Sequence, residues 1–101
     1  MFEKLMWMTG KVFDTLDRHK KFTVREVTPN AVNIRVHSTN EERRISMNDI
    51  ERAWNKLITT GIIRSTEILE FPCRSSAYIS TMLAHLDGVT YSLRPIILRH
   101  K

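Results

Sequence analysis

From Val32 to His37 apolar and polar side chains alternate one for one, with Val32, Ile34 and Val36 on one side and Asn33, Arg35 and His37 on the other. A period of two residues marks a strand with one buried and one wet face. Phe22-Thr23-Val24-Arg25 alternates in the same way. Thr28-Pro29-Asn30 lies between the two segments and reads as a turn, because proline presets φ and asparagine tolerates a left-handed backbone. The combination predicts an antiparallel hairpin that sets Val24 opposite Ile34 and Phe22 opposite Val36. The alternation slips at Glu26-Val27, which predicts a bulge close to the turn. The period then changes. Met47, Ile50, Ala53, Trp54, Leu57 and Ile58 recur at helical spacing. Ser46 precedes them as an N-cap with Asp49 in capping-box position, and Gly61 follows as a C′ residue, so a helix is predicted over roughly 46–60. A chain in which strand and helix periods occupy separate segments belongs to the α+β class.

The remaining segments fill in around this hairpin and helix. Phe2, Leu5, Met6 and Thr9 follow a helical period that Gly10 would stop, with Trp7 and Met8 off the main face. Val12 to Leu16 alternates as a first strand, Asp17 to Lys21 reads as a turn, and Arg43-Arg44-Ile45 is a short fourth strand after a loop. Ile62 to Glu70 fits either an extended stretch or a helical turn capped by Ser65. Ser75 or Ser76 caps a second helix with Tyr78, Ile79, Met82, Leu83 and Leu86 inward and Gly88 as its stop. Val89, Tyr91 and Leu93 alternate as a last strand, Pro95 interrupts, and the apolar run Ile96-Ile97-Leu98 is of the kind that usually docks on the core or on a partner. At 101 residues the chain has room for one core. The expectation is a single compact domain over 1–101: an α+β fold with a small antiparallel three- to four-stranded sheet packed against two main helices and a short N-terminal helix.

Charge narrows the function classes. Sixteen basic residues against eleven acidic ones give a net charge of +5, and the pI is near 9.8. Such a balance favours polyanions through counterion release, although a similar charge also serves solubility. Arg18, Lys20 and Lys21 fall in one loop, Arg25, Arg35 and His37 on one strand face, and Arg43 and Arg44 just before the main helix. A helix start offers free N–H groups and a positive dipole end to a phosphate. At Arg44-Ile45-Ser46 the acids Asp49 and Glu51 already compensate that dipole, whereas Arg74-Ser75-Ser76 opens the second helix with no acid in its first turn. The predicted phosphate contacts are therefore Arg18, Lys20, Lys21, Arg25, Arg35, Arg43, Arg44, Arg74 and Ser75. The sheet face carries no aromatic pair for stacking bases, which suits phosphates better than unstacked RNA bases. Phe2, Trp7, Met8, Ile96, Ile97 and Leu98 are the predicted contacts for a protein partner or a second copy.

Catalytic patterns are missing. Cys73 is the only cysteine and stands between Pro72 and Arg74 with no Cys/His motif. His19, His37, His85 and His100 are scattered without metal-ligand spacing, and the three glycines are too far apart for a phosphate loop. Asp14, Asp17, Glu26, Glu67 and Glu70 form no carboxylate cluster of the kind a metal-dependent nuclease needs. No cofactor, metal or small-molecule substrate is expected. Nor does the sequence carry a signal peptide or an apolar run of membrane-spanning length, so the expected setting is the cytoplasm.

The order helix, three strands, helix resembles the double-stranded-RNA-binding domain, which implies recognition of RNA shape through a basic helix start. The matching helix here begins Ser46-Met47-Asn48-Asp49, without a lysine cluster. Gly10-Lys11-Val12-Phe13-Asp14-Thr15, Phe22-Thr23-Val24, Arg44-Ile45-Ser46 with Ile50-Glu51-Arg52-Ala53-Trp54, and Ser75-Ser76-Ala77-Tyr78-Ile79 with Leu83-Ala84-His85-Leu86 look like small accessory domains of bacterial and phage restriction or defence proteins. That resemblance implies a bacterial or phage-encoded module. The expected function is non-catalytic binding of nucleic acid, DNA favoured over RNA. The alternative is a protein-interaction subunit or inhibitor of a larger defence complex.

Overall fold

A computed structural model of the chain describes residues 1–68 and 75–101. Four antiparallel strands form the first sheet in sequence order: β1 (Val12–Asp14), β2 (Lys21–Val27), β3 (Ala31–Val36) and β4 (Glu41–Ser46). The hairpin register is the one the alternation predicts, with Phe22 opposite Val36 and Val24 opposite Ile34. The bulge falls between Val24 and Glu26, one residue earlier than the slip in the pattern, so that Glu26 pairs Asn33 and Val27 pairs Val32. β1 is shorter than expected because Thr15 turns the chain: its backbone N–H donates to the Lys20 carbonyl and its hydroxyl accepts the Lys20 N–H at 2.9 Å. β4 is longer than expected and forms the far edge, where Glu41-Glu42-Arg43-Arg44 guards against edge-to-edge pairing with another chain.

The main helix, α2 (Met47–Thr60), follows β4 without a break and buries Met47, Ile50, Ala53 and Leu57. Trp54 is half-buried beside them. Ile58 is exposed, because at 3.6 residues per turn it falls at the margin of the stripe. Gly61 ends the helix in the left-handed region at φ +79°, donating its N–H to the Leu57 carbonyl. The expected capping box at the other end does not form. Ser46 stands at the N-cap without a side-chain cap bond. Instead the Met47 N–H donates to the carbonyl of Asn30, in the β2–β3 turn, at 2.9 Å.

At the N-terminus, α1 (Phe2–Leu5) tightens into a 3-10 turn over Met6–Met8. At three residues per turn Leu5 and Met8 share one face, and both are fully buried, while Met6 and Trp7 turn to solvent. This reverses the predicted placement of Met6 and Met8. The second half of the chain builds something the periodicities did not announce, a second antiparallel sheet. Its strands β5 (Ile62–Arg64), β6 (Val89–Ser92) and β7 (Ile97–His100) lie in the order β5-β7-β6. The ambiguous 62–70 segment is thus first extended and then, at Ser65–Glu67, a 3-10 turn. α3 (Ser75–Ala84) buries nearly all of its circumference, including Ser76, Ser80 and Thr81. The Ser80 and Thr81 hydroxyls make this tolerable by donating to the carbonyls of Ser76 and Ala77, at 2.8 and 2.9 Å. Side chains from both sheets and all three helices meet in one apolar core, with Phe22, Ile34, Ile50, Leu57, Met82, Ile63 and Leu98 fully enclosed.

Candidate nucleic-acid interface

Directly opposed residues of an antiparallel pair lie on the same sheet face. On the outer face of the first sheet this aligns Val12, Thr23, Arg35 and Glu42 in one row and Glu26, Asn33 and Arg44 in another, with Asp14 opposite Lys21. The predicted contacts Lys21, Arg25, Arg35 and Arg44 therefore share a surface. They share it with Asp14, Glu26 and Glu42. Lys21 pairs with Asp14 at 2.9 Å and Arg25 with Glu42 at 3.3 Å. Asn33 donates to Glu26 at 3.1 Å, and Arg35 Nε donates to Asn40 Oδ1 at 2.6 Å. His37 joins the face through Thr23, Nε2 to Oγ1 at 2.7 Å. The expected basic face is a near-balanced cross-strand ladder, and each exposed pair within it contributes only about 0.2–1 kcal/mol.

Arg43 and Arg44 separate. Successive strand residues point to opposite faces, so Arg44 lies outward beside Asn33 while Arg43, opposite Ile34, points to the core side. There its guanidinium stands 5.8 Å from the centre of the Tyr78 ring. The predicted joint site at the start of α2 is not assembled: Ser46 makes no cap bond, the first helical N–H is taken by Asn30, and Asp49 sits in the first turn.

Arg43 instead enters a groove of about 650 Å³ on the core side of the sheet edge. The β1–β2 loop contributes Thr15, Asp17, Arg18 and Lys20; the β3–β4 turn contributes Ser38 and Thr39; β4 contributes Glu41 and Arg43. The far wall is Ala77 and Tyr78 in the first turn of α3, a turn with no acidic residue, and Ile96 closes one end. Three cations thus face two carboxylates among several hydroxyls. Ser75 stands half-buried at the start of α3. Its predicted companion Arg74, like Cys73, lies outside the described residues.

The predicted partner contacts also divide. Met8 and Leu98 are fully buried and offer nothing to a partner. Leu98 sits in the central strand of the second sheet, so the apolar run near the end of the chain docks on the molecule's own core. Phe2, Ile96 and Ile97 are half-buried, and Trp7 is exposed with its edge against Phe13, centroids 6.2 Å apart. Reading the sequence overlooked Val12, which is exposed like Met6 and Trp7. It also overlooked Arg64 and Arg99, which the pairing of β5 with β7 brings to one face.

The histidines serve separate local roles. His85 Nδ1 donates to the Thr81 carbonyl at 2.8 Å with its ring against Phe13, and His100 packs edge-on against Trp54. Among the described residues no group of three His, Cys, Asp or Glu side chains could hold a metal ion, and no helix is long and apolar enough to cross a membrane. Compared with known proteins, the chain matches no family model, and neither curated sequences nor solved structures give a significant match.

Proposed function

We propose that this chain is a non-catalytic nucleic-acid-binding module that grips the phosphate backbone, with duplex DNA the favoured partner, and that it works in a bacterial cytoplasm as a host- or phage-encoded protein. The observation that carries the reading is the meeting, in one groove, of Arg18, Lys20 and Arg43 with the acid-free first turn of α3. A helix start adds roughly half a positive charge to the three side-chain cations. Phosphates are the target rather than bases because Tyr78 lies only 6% exposed beneath Arg43 and offers no open ring for stacking.

Anisotropy of a labelled DNA duplex titrated with the protein tests this reading. Binding is expected to weaken steeply between about 50 and about 200 mM salt, and the R18Q/K20Q/R43Q variant should lose up to about 0.9 of log–log salt slope per contact removed. Absent binding at low salt, or binding indifferent to salt, would sink it. A duplex RNA of the same length, run alongside, tests the preference for DNA.

A second reading has its own observation. Met6, Trp7 and Val12 are all about half exposed, and Trp7 leans on Phe13. Exposed tryptophan and methionine suit a protein contact, as in a subunit of a nucleoprotein complex. Trp7→Ala should then abolish co-purification of a partner without lowering DNA affinity.

A further inference from the structure

The outer face of the second sheet differs in kind from that of the first. Register places Arg64, Ile97 and Ser92 in one row, and Ile62, Arg99 and Thr90 in the next. The reverse face carries Ile63 and Leu98, both fully buried, so these rows point to solvent. None of the three strands contains an acidic residue. Arg99 is braced by Ser92, Nη1 to Oγ at 3.3 Å. Glu67, three residues after Arg64, is engaged by Lys56 at 3.0 Å and by the Arg64 backbone N–H at 3.2 Å, and the Arg64 charge acts on it without an ion pair. No salt bridge to Arg64 or Arg99 forms among the described residues. An arginine without a carboxylate partner keeps its full counterion atmosphere, which a polyanion can displace; one already paired must first give up its partner.

The groove and this face are joined through consecutive residues of the chain. Ile96 lines the groove and Ile97 begins the outer row beside Arg64. We propose that the Arg64–Arg99 face of the second sheet extends the groove into one continuous track for a nucleic-acid backbone. This inference rests on the nucleic-acid reading above and names the surface along which the strand runs. From Ile96 to Arg99 the sheet extends roughly 10 Å at about 3.3 Å per residue, room for the two phosphates that Arg64 and Arg99 would hold. Arg64 and Arg99 hold phosphates, and Ile62 and Ile97 pack against the sugars between them.

The test measures the salt slope of duplex DNA binding for the wild-type chain, R64Q/R99Q, R64K/R99K and the groove variant R18Q/K20Q/R43Q, with K21Q/R25Q, the two ion-paired cations of the first sheet, as the control. R64Q/R99Q should reduce the slope by close to two and weaken binding tenfold or more at about 0.1 M salt. R64K/R99K should retain most of the slope, because the contact is ionic. K21Q/R25Q should change the slope by less than half as much. If the groove variant loses slope while R64Q/R99Q binds like wild type with an unchanged thermal midpoint, the track is overturned and the groove reading stands. If the wild-type chain does not bind at low salt, both fall.

Discussion

The two sheets of this molecule handle charge in opposite ways. The outer face of the first sheet interleaves Lys21, Arg25, Arg35 and Arg44 with Asp14, Glu26 and Glu42, pairing Lys21 with Asp14 and Arg25 with Glu42 and tying Arg35 to Asn40. The outer face of the second sheet sets Arg64 and Arg99 among isoleucines and hydroxyls with no acid on its strands. The first arrangement protects a wide, well-paired sheet from unwanted association; the second leaves its cations available. Net charge alone does not distinguish the two, because what matters to a polyanion is which cations are already engaged.

The largest test of the comparison is structural. Phe22→Ala in the first sheet should cost about 3–5 kcal/mol and Leu98→Ala in the second about 2–5 kcal/mol, both measured by denaturant unfolding. Because the two residues share one core, each variant should still unfold in a single transition. A Leu98→Ala protein that melts in two steps, the hairpin last, would show instead that the sheets are separate units.

Next in size is a contrast between neighbours. Arg43→Gln should weaken DNA binding several-fold, since its guanidinium lines the groove. Arg44→Gln, one residue on and on the opposite face, should change it far less. Equal losses would mean that the outer ladder, not the groove, meets the ligand.

Smaller still is the ladder itself. A double-mutant cycle on Arg25 and Glu42 should return a coupling of about 0.2–1 kcal/mol, falling with added salt. A coupling near zero would make the pair incidental, and Arg25 would then count among the available cations. The smallest effect concerns Glu67. Its carboxylate accepts a hydrogen bond from Lys56 and another from the Arg64 backbone, and these hold its pKa below the ordinary carboxylate value. A depressed folded pKa stabilises the fold fully above the unfolded value and is lost as the pH falls through the lowered one. Lys56→Gln should therefore lower Tm slightly and by a constant amount at neutral pH and above, and leave it unchanged at acid pH, seen as a smaller drop in Tm on acidification.

How legible all this was depends on range. The β2–β3 hairpin and its pairing could be read because a clean alternation flanks a turn with known residue preferences. α2 could be read because its apolar stripe runs through several turns. The second sheet could not. Its strands are three or four residues long, too short to separate a period of two from one of 3.6, and β5 meets β7 only across the whole of α3 and β6. Met8 was misplaced because a 3-10 turn shifts the buried face by one residue. The site shows the same limit. The cations were visible as residues, but their acidic partners enter through register, from β1, from β4 and from the residue after the bulge. Arg43 and Arg44 read as one basic element before the main helix, although the short strand expected there sends successive residues to opposite sides; only the pairing of β4 with β3 fixes which side each takes.

The strand order β5-β7-β6 carries a consequence for how the chain matures. β5 and β6 have no hydrogen bonds to each other, and each finds its partner only in β7, the last strand in the sequence. On a translating ribosome the first sheet, a local meander, can close while the rest is still being made, but β5 and β6 must wait with bare edges until Ile97–His100 emerges. During that interval Arg64 and its neighbours belong to an open strand, so the half-made protein has its ladder before the Arg64–Arg99 face exists.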